Sequence, residues 1–132
     1  MHLTLCALII ASTTVAAQSG NTSDWVGVWQ GELDGIPSVV LTLAMDDGTL
    51  QGTLVLNGIN NDGGKPHIAV RETHVLLHPT LSGESLLFAI KGLRSSATTM
   101  NFSVQQTSST SAKIHCLDCG ENAPVVDVTK QD

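Results

Sequence analysis

From Trp25 to the end of the chain, apolar and polar residues alternate in short runs, each closed by Gly, Asn, Asp, Pro or Ser. Successive side chains of a β-strand point to opposite faces, so this alternation marks strands with one buried face. Eight strands are predicted. The first covers residues 25–33 and the second residues 38–45, with Val39, Leu41, Leu43 and Met45 on one face. Asp46-Asp47-Gly48 is a hairpin signal. A third strand over residues 50–59 then sets Leu50, Leu54 and Leu56 opposite Gln51, Thr53 and Asn57. Residues 60–66 form the longest turn-rich run. In the fourth strand, within residues 68–78, alternation breaks at Val75-Leu76-Leu77, which predicts a bulge or a change of direction. The fifth, over residues 86–91, has Leu86, Phe88 and Ile90 on one face, and the sixth, over 100–105, has Met100, Phe102 and Val104. The seventh, over 112–116, aligns Ala112, Ile114 and Cys116, and the eighth covers 125–129.

Sequential strands with short connections predict an all-β fold: an eight-stranded antiparallel up-and-down meander barrel, because closure removes exposed strand edges. The alternative assembly of the same strands is a two-sheet β-sandwich. An eight-stranded barrel is just wide enough to be filled by its own side chains or to hold one small ligand.

Residues 1–17 read as a secretory signal peptide. Residues 3–10 are apolar, Ser12-Thr13-Thr14 is a polar step, and Val15-Ala16-Ala17 supplies small residues before Gln18. The apolar stretch is too short to span a bilayer. The expectation is a secreted or periplasmic protein with a flexible leader over residues 18–24, one domain over 25–132, and no membrane span in the mature chain.

Charge narrows the partners. Twelve acidic residues stand against six basic ones, a net charge of −6. The basic residues Lys65, Arg71, Lys91, Arg94, Lys113 and Lys130 are scattered, and phosphate neutralisation needs them clustered, so no nucleic-acid partner is expected. Four aromatic residues and no Tyr offer little for stacking sugars or bases. The chain is expected to be a monomer.

Gly27-Val28-Trp29 resembles the G-x-W signature that opens lipocalin-like, calycin-type barrels. The resemblance implies that Trp29 is a structural residue plugging the closed end of the barrel, with a later Arg packed on it; Arg71 and Arg94 are the candidates. Trp25 through Gly31 (W-x-G-x-W-x-G) and Ala123 through Thr129 (A-P-V-V-x-x-T) are also similar to small secreted bacterial proteins of uncharacterised activity, and that likeness implies no chemistry.

Cys116-Leu117-Asp118-Cys119 is the one short motif with chemical content. In an exported protein such a pair points first to a disulfide. Three residues apart on an extended strand the Cα atoms would be ~10 Å apart, and a disulfide needs less than ~7 Å, so it requires a bend at Leu117-Asp118. Free core thiols, half of a metal site, and a redox pair remain as alternatives. His74 and His78 would share a face of an extended strand at a separation of ~13 Å, too far for one metal ion. Gly63-Gly64-Lys65 is not a phosphate loop, since Ile59 stands at the first glycine position and Pro66 at the hydroxyl position. No catalytic residue, metal or cofactor is expected, and the chain is read as a non-enzyme.

The expected function is binding of a small apolar ligand inside the barrel by Leu41, Leu54, Leu56, Phe88, Phe102 and Val104, with Cys116 and Cys119 in a disulfide. A solid core would use the same residues. The alternative is a protein partner, as for a periplasmic protease or lysozyme inhibitor, met through residues 18–24 or 60–66.

Overall fold

The computed structural model describes residues 22–92 and 98–132. The expected signal peptide, residues 18–21 of the leader, and Arg94 lie outside the described residues. A helical turn, α1 (Thr22–Trp25), precedes β1 (Gly27–Leu33), β2 (Ile36–Asp46), β3 (Thr49–Asn60), β4 (His67–Val75), β5 (Leu77–Ser82), β6 (Ser85–Lys91), β7 (Thr99–Gln106), β8 (Ser111–Cys116) and β9 (Val125–Lys130). A 3-10 turn at Asp62–Gly64 lies in the exposed β3–β4 connection.

The strands form one antiparallel sheet in the order β4-β3-β2-β1-β9-β8-β7-β6-β5, curled into a half-barrel. It is a single sheet, not the two layers of a sandwich. The first and last strands meet in its middle, Trp29 opposite Lys130 and Gln30 opposite Thr129. Its two edges, β4 and β5, are consecutive in the chain.

The eight strands expected from the pattern are therefore nine among the described residues, and no ladder joins β4 to β5. The reason lies at Leu76. β4 pairs with β3 and β5 with β6, so the fourth predicted strand, 68–78, bends between the two edges, and β5 runs on through residues 79–82, beyond its expected end. Val75 is 68% exposed and the next residue, Leu76, is buried. The Leu76 N–H donates to the Gly52 carbonyl at 3.0 Å. A Cβ on Gly52 would lie 3.1 Å from Leu76 Cδ1 and would run into the Thr42 carbonyl oxygen. Glycine at position 52 thus makes the space into which Leu76 turns. A register shift between Leu77 and Thr80, with His78 at φ 50°, completes the bend.

The concave face holds the core. Trp29, Leu41 and Leu54 are cross-strand neighbours in one inward row, and Leu86, Val104 and Ile114 form another. All six are buried. Each such aliphatic side chain stabilises the fold by about 1.5–3 kcal/mol relative to leaving it in water. Phe88 and Phe102 stack with centroids 5.4 Å apart and planes 6° from parallel.

Trp25 is not in the first strand, which begins at Gly27. It ends α1, buried, and its carbonyl accepts a hydrogen bond from Trp29 Nε1 at 2.9 Å. The described end of the leader is accordingly a folded turn. Asp24 borders the same small cleft as Glu84, Gln106 and Thr107, so α1 covers one end of the half-barrel. The expected face of β2 ends early, since Met45 is 40% exposed.

Candidate functional site: the open mouth of the half-barrel

Away from α1, the row beyond Trp29, Leu41 and Leu54 consists of Gly31, Val39, Leu56 and Glu72. Here the core opens. Val39 and Leu56 from one half of the sheet face Met100, Phe102, Ile114 and Val126 from the other across a cleft of about 180 Å³. Cys116, Cys119, Ala123 and Pro124 complete its wall. The opening exists because β8 stops at Cys116 and β9 starts at Val125. Pro124 has no N–H to give a ladder, so the intervening segment borders the cleft instead of extending the sheet.

That segment is held in several ways. Cys116 and Cys119 are joined by a disulfide with Cα atoms 5.5 Å apart, which the bend at Leu117-Asp118 permits. The Leu117 N–H donates to the Asn101 carbonyl at 2.8 Å. Asp118 Oδ2 accepts from the Asn101 backbone N–H at 2.7 Å and from Asn101 Nδ2 at 2.8 Å. One wall of the cleft is thus a short stapled turn anchored to β7.

Two of the six residues expected to bind a ligand, Leu56 and Phe102, line this cleft. Leu41, Leu54 and Val104 lie fully buried in the packed core, and Phe88 is buried against the Phe102 ring without reaching the cleft. The pattern missed Val39, Met100, Ile114 and Val126. Their inward orientation is legible from alternation, but their height in the half-barrel depends on register between distant strands.

Trp29 is fully buried at the α1 end. Arg71 does not pack on it: its Nε donates to Asn57 Oδ1 at 3.3 Å on the exposed face. Lys130 takes that place, with Nζ 5.8 Å from the Trp29 ring centroid. His74 and His78 do not share a face, because the bend at Leu76 separates them: His74 is half-buried on the inner side and His78 is exposed.

A second cleft, of about 300 Å³, shares Leu56 with the first and is lined by Asn57, Gly58, Val70 and Glu72. Glu72 stands opposite Leu56, and His74 opposite Leu54. Their side chains are 40% and 15% exposed, and His74 Nε2 lies 3.5 Å from Glu72 Oε2 without making a hydrogen bond.

A larger cleft, of about 700 Å³, lies on the outer side of the bend, where Thr42, Thr49, Gln51, Thr53 and His78 contribute polar groups. An apolar ligand there would strip water from those polar groups without replacing their hydrogen bonds, so the smaller mouth, whose wall is almost wholly apolar, suits it better. Among the described residues no three His, Cys, Asp or Glu side chains are grouped to hold a metal ion, and no helix is long and apolar enough to cross a membrane. No protein family, curated protein or solved structure matches this chain.

Proposed function

We propose that this chain is an exported binding protein for a small apolar molecule, taken up in the mouth bounded by Val39, Leu56, Met100, Phe102, Ile114 and Val126. The observation that carries this reading is an almost wholly apolar cleft of about 180 Å³ at the unsealed end of a well-packed core. An apolar cavity of ~150 Å³ holds benzene, so an aromatic ring or a short alkyl chain is the matching size. With a ligand of about eight heavy atoms at about 0.7 kcal/mol per atom, inside the range of roughly 0.3 to 1.5 for small ligands, a dissociation constant of about 0.1 mM is expected. Catalysis is no part of the proposal. Export is, on the strength of residues 1–17, and a mature N-terminus at Gln18 is the expected result of sequencing the exported protein.

The test is ¹⁹F NMR of fluorobenzene with the protein. Binding shifts and broadens the fluorine line, and toluene reverses the effect by competition. An unchanged line at millimolar protein refutes the proposal.

A further inference from the structure

We infer that the preferred ligand of the mouth is a cationic amphiphile, an alkyl or aryl amine whose ammonium group is held by Glu72 and His74. This rests on the binding reading above and deepens it. Inward-facing positions of the sheet are otherwise almost entirely apolar, and no buried residue among those described is charged or polar. Glu72 and His74 break that pattern side by side on β4, directly opposite Leu56 and Leu54. Lys130, a cation on the Trp29 row, is engaged at the far end with Trp29 and the Asp24 carbonyl.

The chemistry of the pair is that of an acceptor site. An ionised carboxylate only accepts hydrogen bonds, and a neutral imidazole with its proton on Nδ1 presents Nε2 as a second acceptor. Nε2 of His74 is shielded from water, 3.5 Å from Glu72 Oε2, and has no hydrogen-bond donor. An ammonium group is donor-only, with three N–H bonds; it meets the Glu72 carboxylate in the cleft and reaches His74 Nε2, buried just behind it, once the imidazole turns toward the head group. A carboxylate ligand would instead meet Glu72 with like charge. Glu72 lines the cleft that adjoins the mouth through Leu56, so an alkyl chain against Met100 and Phe102 can carry its head toward the pair. The net charge of −6 favours a cation further.

The experiment is displacement of fluorobenzene by hexylamine, hexanol and hexanoate, matched in chain length, using the full mature protein and its Glu72→Gln and His74→Gln variants. Because Glu72 is substantially solvated, the expected preference is moderate: hexylamine binds about fivefold tighter than hexanol, and hexanoate weakest. Glu72→Gln abolishes the amine preference and leaves hexanol affinity unchanged; His74→Gln reduces it. Added salt shrinks the preference in the parent protein. Both variants are partly exposed substitutions, and an unchanged thermal midpoint verifies their folding. Equal affinity for amine and alcohol, tighter hexanoate, or a preference that survives Glu72→Gln overturns the inference while the binding reading stands. Failure of fluorobenzene itself to bind overturns both.

Discussion

Lys130, at the end of β9, lies with its ammonium 5.8 Å from the centroid of the Trp29 ring. The two residues also face each other in the short β1–β9 ladder, and Lys130 Nζ donates to the Asp24 carbonyl at 3.0 Å. One side chain therefore ties the last strand, the first strand and α1 together. Gly27 makes room for it: its φ is 138°, and a Cβ there would lie 3.0 Å from Lys130 Cε. Gly27 and Trp29 of the G-x-W motif thus have linked roles. Lys130→Met, which keeps the stem and removes the charge, is expected to lower stability by about 0.5–1 kcal/mol. Gly27→Ala is expected to cost about 1–3 kcal/mol, because the backbone strain adds to the contact. Urea denaturation of both variants checks the order.

Trp25 seals the α1 end, and its loss should be felt by the whole core. Trp25→Ala is expected to destabilise by about 3–5 kcal/mol. An effect within ~0.5 kcal/mol, the range of an ordinary surface substitution, would show that α1 does not close the half-barrel.

The bend at Leu76 depends on Gly52. Leu76→Ala should cost about 2–5 kcal/mol and Gly52→Ala about 1–3 kcal/mol. Since the added methyl would meet Leu76 Cδ1, the double variant should fall short of the sum by at least ~0.5 kcal/mol. Strict additivity in a double-mutant cycle contradicts this account of the bend.

The disulfide closes only a small loop, from Cys116 to Cys119. Chain-entropy arguments give such a loop about 2 kcal/mol, while the core draws on every strand but β4. Reduction is therefore expected to lower the denaturation midpoint without unfolding the chain, and to loosen the wall of the mouth. Circular dichroism with and without reductant, followed by fluorobenzene binding, reads both effects.

Much of the fold was legible from the residues alone. Seven predicted strands correspond to single observed strands, because their alternation meets one solvated and one packed face. The fourth predicted strand, over residues 68–78, carried its own warning in Val75-Leu76-Leu77, where three apolar residues in a row cannot all face one side. Whether that meant a bulge or a bend depended on Gly52, 24 residues away (76 − 52), and no local rule connects the two. Trp25 was misplaced because two tryptophans at a spacing compatible with a strand are equally compatible with a helical turn leading into one. The candidate site was legible in orientation and not in depth. Leu54 and Leu56 look alike in sequence, yet one lies in the sealed core and the other at the mouth, because register across several strands sets height.

Glu72 and His74 illustrate the same limit. A polar pair at spacing two in a strand reads as the solvated face, and here it belongs to the inner one, since it stands opposite Leu56 and Leu54 while Val75, next to His74, is exposed.

The most direct test of the central claim follows the methyl groups by ¹H–¹³C NMR while toluene is added. The account predicts saturable shifts at Leu56, Met100, Ile114 and Val126, with Leu41, Leu54 and Val104 unmoved. Shifts confined to Leu41, Leu54 and Val104, or shifts at none of these residues, would contradict a ligand site at the mouth.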